Sequence, residues 1–195
     1  MTTLELYRRA QDELDAMLAS VPADRWDTQS ACADWTVRDV AGHLVWGQHQ
    51  IRAWATGEEY TERTGAPGSP HPAGMAGADP VATWRAAREA SVPTLTEDAL
   101  ARTASLGPIG DVPVAQVVTL LITDQVAHTW DIGHALGMTV RLDPALVAIA
   151  FDWARTNVVR QPGFFGPELT PPADSDEQCR MLAFIGRADW QPVSV

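Results

Sequence analysis

Lysine is absent from this chain of 195 residues, and all fourteen basic residues are arginine. They stand against twenty-five acidic residues, for a formal net charge of −11. That balance excludes non-specific adhesion to nucleic acid or to anionic lipid, since both need a positive face. Cysteine is scarce. Cys32 and Cys179 lie far apart, in no CxxC or Cys/His run, which excludes a disulfide scaffold and predicts two reduced thiols. No apolar run approaches the roughly 18 residues of a membrane span. The opening MTTLELYRRAQDELD is charged from its fifth residue and has no apolar core region, so it does not read as a secretory signal. A cytoplasmic protein is expected.

Strand-like alternation is nearly absent, and there is no internal repeat. What is present is 46% hydrophobic residues in a chain of single-domain length, patterned at the helical period. The first helix is predicted from about Leu4 to Ala19, with Thr2 and Glu5 as its capping box. The second opens at Thr36, with Asp39 three residues on, and ends by Gly57. Residues 57–79 are rich in Gly and Pro and form a connection long enough to be a lid or a disordered segment. Asp79-Pro80 opens a third helix that runs to about Ser91, and a short helical turn is predicted at 96–103. The fourth long helix runs from about Pro113 to Leu136, stopped by Gly137. A short extended piece, Thr139 to Leu142, follows, and Asp143-Pro144 opens a fifth helix to about Val159. Residues 161–174 are a second Pro/Gly loop, and Ser175 to Gly186 reads as a last short helix. The fold class expected is all-α: a four-helix bundle over residues 1–137 with a helical C-terminal extension, 138–195, packed on the same domain.

The stretch Asp124-Gln-Val-Ala-His128-Thr-Trp130-Asp131 carries the chemistry. Asp124 and His128 share a helix face, one turn apart. At 100° per residue, Val114, Val117, Val118, Leu121, Ile132, Ala135 and Leu136 all fall within about 80° of His128. His128 therefore points into the bundle, with Asp124 about 40° and Asp131 about 60° to one side. A buried carboxylate needs a partner. His43, at the edge of the second helix's stripe, completes a set of two imidazoles and one carboxylate with a position left over, the pattern of a catalytic divalent-metal site. The same spacing suits a core histidine that Asp124 orients with no metal, and the residues alone leave both readings open. His49 and His134 each fall about 240° round their helix from a candidate ligand and face away. His71 sits in the long loop, as a solvated side chain, a lid residue or a fourth ligand. Trp130 points to the far side of its helix, and Arg38 and Asp39 read as surface or capping residues.

Trp35-Thr-Val-Arg-Asp-Val-Ala-Gly-His43-Leu and Asp124-Gln-Val-Ala-His128-Thr-Trp-Asp131 resemble the paired motifs of the DinB-like superfamily, and within it the metal-binding domain of mycothiol-dependent maleylpyruvate isomerase. Leu182-Ala-Phe-Ile-Gly-Arg187 resembles the tail of an uncharacterised actinobacterial branch. The resemblance implies a DinB-like bundle around one divalent metal, typically zinc, with ligands falling on His43, Asp124 and His128. Many relatives carry His or Glu where this chain has Asp124, so Asp124 either reaches the metal or orients His128, with Asp131 as the fallback carboxylate. The separate C-terminal domain of the isomerase has no recognisable counterpart here. The resemblance also implies a low-molecular-weight thiol, mycothiol or bacillithiol, as cosubstrate and a small electrophile as substrate, in S-transfer or isomerisation. Hydrolysis at the same metal, a non-catalytic metal-binding or interaction protein, and a purely structural bundle are the alternatives.

Overall fold

The structure is a computed structural model describing residues 1–32, 34–160 and 164–190. Helix α1 spans Thr3–Ala19 and α2 spans Val37–Thr56, each opened by the predicted capping box. Helix α3 spans Pro80–Ser91 behind its Asp79 cap, and α5 spans Val114–Ala135. These four pack as a bundle: α1 lies along α5 and α3, while α2 lies along α3 and α5. Helix α6 (Pro144–Asn157) packs on α5, and α7 (Glu177–Phe184) packs on α6. The all-α bundle is the expected architecture. Residues 161–163 of the second Pro/Gly loop and 191–195 of the tail lie outside the described residues.

Two apolar clusters hold the helices. One gathers Leu14, Leu18, Val40, Leu44, Trp84 and Ile132 between α1, α2, α3 and α5. The other runs from Tyr7 and Ile51 through Ile122, Val126 and Trp130 to Leu146, Phe151, Met181 and Leu182, joining the bundle to α6 and α7. At the bundle's heart Gln48 Oε1 accepts hydrogen bonds from Tyr7 Oη at 3.1 Å, Gln11 Nε2 at 3.0 Å and Ser91 Oγ at 2.8 Å, which ties α1, α2 and α3 to one buried oxygen.

Three expectations change. The short turn predicted at 96–103 is a helix, α4, only over Glu97–Leu100. A hairpin then follows in a sequence that shows no alternation: β1 (Thr103–Ser105) pairs antiparallel with β2 (Asp111–Pro113), Ala104 opposite Val112. Three residues per strand are too few to register as a period, and the turn rests on Gly107 and Gly110 at positive φ. The connection 57–79 is exposed over most of its length but is not free, and Gly65, Pro72 and Ala76 are buried. It includes a one-turn 3-10 helix at Pro72–Ala76 that lies against α2. As a result α2, an amphipathic helix by its pattern, is buried on nearly every side.

Candidate metal centre

His43, Asp124 and His128 meet where α2 crosses α5. The ligand-capable atoms of all three lie within 4.8 Å of one another. Asp124 Oδ1 is 3.5 Å from His43 Nε2 and 3.3 Å from His128 Nε2. Both rings are buried, but 18% of the Asp124 side chain stays exposed, so the carboxylate residue is the member of the trio that reaches solvent.

The second nitrogen of each ring is already engaged. His43 Nδ1 lies 2.7 Å from the carbonyl oxygen of Gly65, which has only acceptor character, so Nδ1 carries the proton. His128 Nδ1 donates to Asp131 Oδ2 at 2.9 Å. Each bond fixes the ring's rotation and leaves Nε2 aimed at Asp124, as the nitrogen that can give a metal its lone pair once its proton is displaced, the arrangement that metal-binding histidines require. The neighbours are aromatic. The Trp35 ring lies 4.9 Å from the His43 ring and 6.1 Å from the His128 ring, and Trp46 stacks on His43 at 6.2 Å.

The charges are strongly coupled. Burial opposes ionisation of Asp124, but His128 and His43 outweigh it and hold the carboxyl well below the usual carboxylate range. Burial would lower the His128 pKa, but Asp124 and then Asp131 raise it to about 9. Burial would likewise raise Asp131, but Arg187 overrides it and brings the carboxyl down to about 2. Arg187 forks onto Asp131, with Nε to Oδ1 at 2.7 Å and Nη2 to Oδ2 at 2.7 Å.

That fork corrects the reading of Asp131 as a fallback ligand. Its side chain is fully buried on the Nδ1 side of His128, and both oxygens are committed. Arg187 itself lies outside the predicted site. The sequence marks it in two ways, as the end of the tail motif Leu182-Ala-Phe-Ile-Gly-Arg187 and through the need of Asp131, an acid on an apolar helix face, for a cationic partner. Cys32 is a further neighbour that spacing does not reveal: Sγ lies within 4.8 Å of a His128 ring nitrogen and an Asp131 oxygen. Burial, and then Asp131, push that thiol up to about 12, and Arg187 already occupies Asp131, so this trio is poorly suited to hold a cation. His71 is exposed at the start of the 3-10 turn and does not join the group of His43, Asp124 and His128. His134 is exposed and stacks on Trp130 at 4.4 Å, and Trp130 donates to Asp189 Oδ1 on the far side of α5, as its angular position predicts. Asp39 is the expected cap, but it also accepts from the Ala73 backbone N–H at 2.9 Å and so ties the loop to α2.

A donor set of two imidazole nitrogens and one carboxylate oxygen, three in number, suits a divalent ion that keeps an open position. No helix among the described residues is long and apolar enough to cross a membrane. Uncharacterized proteins from two strains of Mycobacterium tuberculosis are 32% identical to this chain over 193 residues, covering 96% of it and 98% of their own length. A second pair from the same strains is 29% identical over 183 residues, covering 86% of this chain and 68% of theirs. No solved structure matches it significantly. The family model for the mycothiol maleylpyruvate isomerase N-terminal domain matches residues 7–133, a span that holds His43, Asp124 and His128, and the chain belongs to that family.

Proposed function

We propose that His43, Asp124 and His128 hold one divalent metal, zinc by preference, and that the protein uses it with a small thiol of the mycothiol type to carry out S-transfer to, or isomerisation of, a small electrophile. One observation carries the reading: both Nε2 atoms converge on Asp124 Oδ1 while both Nδ1 atoms are held elsewhere. Three protein donors leave room for an exogenous ligand, whereas a purely structural zinc site is closed by four. A bound divalent cation makes a thiol a thiolate at neutral pH, which is the nucleophile such chemistry needs. The chain's own residues do the rest. Gly65 and Asp131 fix the two rings, Trp35 and Trp46 keep water from the histidine side, and the exposed edge of Asp124 marks the way in. Family membership supports the thiol, since mycothiol stands in the family's description.

Elemental analysis of the protein purified without chelators tests the metal. Wild type is expected to carry about one equivalent of a divalent ion, and His128→Ala close to none. Equal metal in both would place the ion elsewhere. Thermal melting tests the thiol: a mycothiol-type thiol should raise the midpoint of the zinc-loaded protein and leave the metal-free protein unmoved. No shift with any thiol would favour a protein that holds metal without this chemistry.

A further inference from the structure

The two carboxylates beside His128 sit at i−4 and i+3, so one faces each ring nitrogen. By proximity alone either could accept the ring's proton while the other nitrogen took a metal. What separates them is Arg187. Asp131 is fully buried with both oxygens held by the guanidinium, and Oδ2 keeps a lone pair for the His128 N–H. Asp124 has only the two histidines as ion-pair partners among the described residues, and its edge is open to solvent. A carboxylate clamped by a bidentate arginine is a poor metal ligand and a good hydrogen-bond acceptor.

The extension is built to deliver that arginine. Helix α7 ends at Phe184, and the chain turns at Gly186, whose φ of +85° favours glycine. A Cβ there would also press on Gly166 and the Pro167 carbonyl at 3.0 Å. The turn is closed by the Arg187 N–H donating to the Leu182 carbonyl at 2.8 Å, and Arg187 Nη1 donates to the Ile185 carbonyl at 3.1 Å. The side chain is therefore aimed at α5 by its own backbone.

We propose that Arg187 is a positioning residue of the metal centre: acting through Asp131, it holds the His128 ring so that Nε2, and not Nδ1, faces the metal. The inference rests on the metal site proposed above and adds that the site is incomplete without the C-terminal extension.

Zinc titration of the full chain against a competing chromophoric chelator tests it. Arg187→Gln should bind zinc roughly 10–100-fold more weakly than wild type. Arg187→Lys, which restores the charge but not the fork, should fall between the two. Asp189→Ala removes a different contact between the same tail and α5, the bond from Trp130 Nε1, and should leave affinity unchanged. A folded Arg187→Gln within twofold of wild type overturns the proposal, as does an equal loss in Asp189→Ala. NMR of zinc-loaded wild type labelled with 15N-histidine needs no variant at all. It should show the His128 metal bond at Nε2 and a slowly exchanging proton on Nδ1, and metal at Nδ1 overturns the proposal. If wild type binds zinc and Arg187→Gln binds it equally, only this inference fails. If wild type binds none, the metal site fails and takes the inference with it.

Discussion

Asp124 works by holding charge on His128. In the metal-free protein it draws the His128 pKa from 6.5 to about 9, and its own carboxyl sits far below its ordinary 3.8. A metal ion must therefore displace a proton from His128 at neutral pH. Zinc affinity should rise with pH by roughly tenfold per unit between about 7 and 9 and level off above that; titrations at several pH values read it directly, and a flat profile contradicts the coupling. Stability without metal should run the other way. A raised histidine contributes fully below 6.5, and its contribution is lost as pH climbs through about 9. Asp131 and Asp124, both lowered, contribute above about 3.8 and lose that contribution in acid, Asp131 through about 2. His43, Cys32 and Arg187 face the same cluster. The melting midpoint of the metal-free protein is thus expected to fall from pH 6.5 to 10, and zinc should reverse that slope.

Among the elements, the loop 57–79 does more than join two helices. The bonds that hold it down include Trp46 Nε1 to the Glu62 carbonyl at 2.8 Å, His43 to Gly65, Trp35 Nε1 to the Ser69 carbonyl at 2.9 Å, and the Ala73 N–H to Asp39. Close approach depends on two glycines. A Cβ on Gly42 would overlap the Pro72 carbonyl, and one on Gly65 would overlap Trp46 Cβ. Neither obstacle is a flexible side-chain end, so the loop would have to lift. Gly65→Ala should then cost about 1–3 kcal/mol of stability, the usual price of overpacking. It should also weaken zinc binding, because His43 loses the acceptor that fixes its ring. Chemical denaturation, zinc titration and proteolytic cutting within 57–79 measure the three effects, and unchanged behaviour in all of them would mean that the loop does not support the site.

For the molecule as a whole, α5 has bundle on one side and the extension on the other. Leu146, Val147, Phe151, Met181, Leu182 and Ile185 are buried in the cluster that includes Val126 and Trp130. Full burial of each such side chain contributes about 1.5–3 kcal/mol, against a total stability of about 5–15 kcal/mol for a domain. We therefore propose that 1–137 and 138–195 unfold as one unit. A chain cut after Gly137 should lose its cooperative melting transition as well as its metal, whereas an intact, sharply melting 1–137 would show that the bundle is self-sufficient.

The helices and their ends were readable in the residues because those signals are local. Thr36 with Asp39, Asp79-Pro80 and Gly137 act within a few positions of the chain, and the period of α5 tells which way His128 points. The same angular count places Trp130 on the far side of α5 from His128. The hairpin at 103–113 escaped because its strands are too short for a period to register. Which acid serves His128 on which nitrogen, which carbonyl holds His43, and that Arg187 arrives from 56 residues away were decided only by tertiary packing. Spacing along one helix sets a direction, but a ligand atom is selected by partners that come from other parts of the chain.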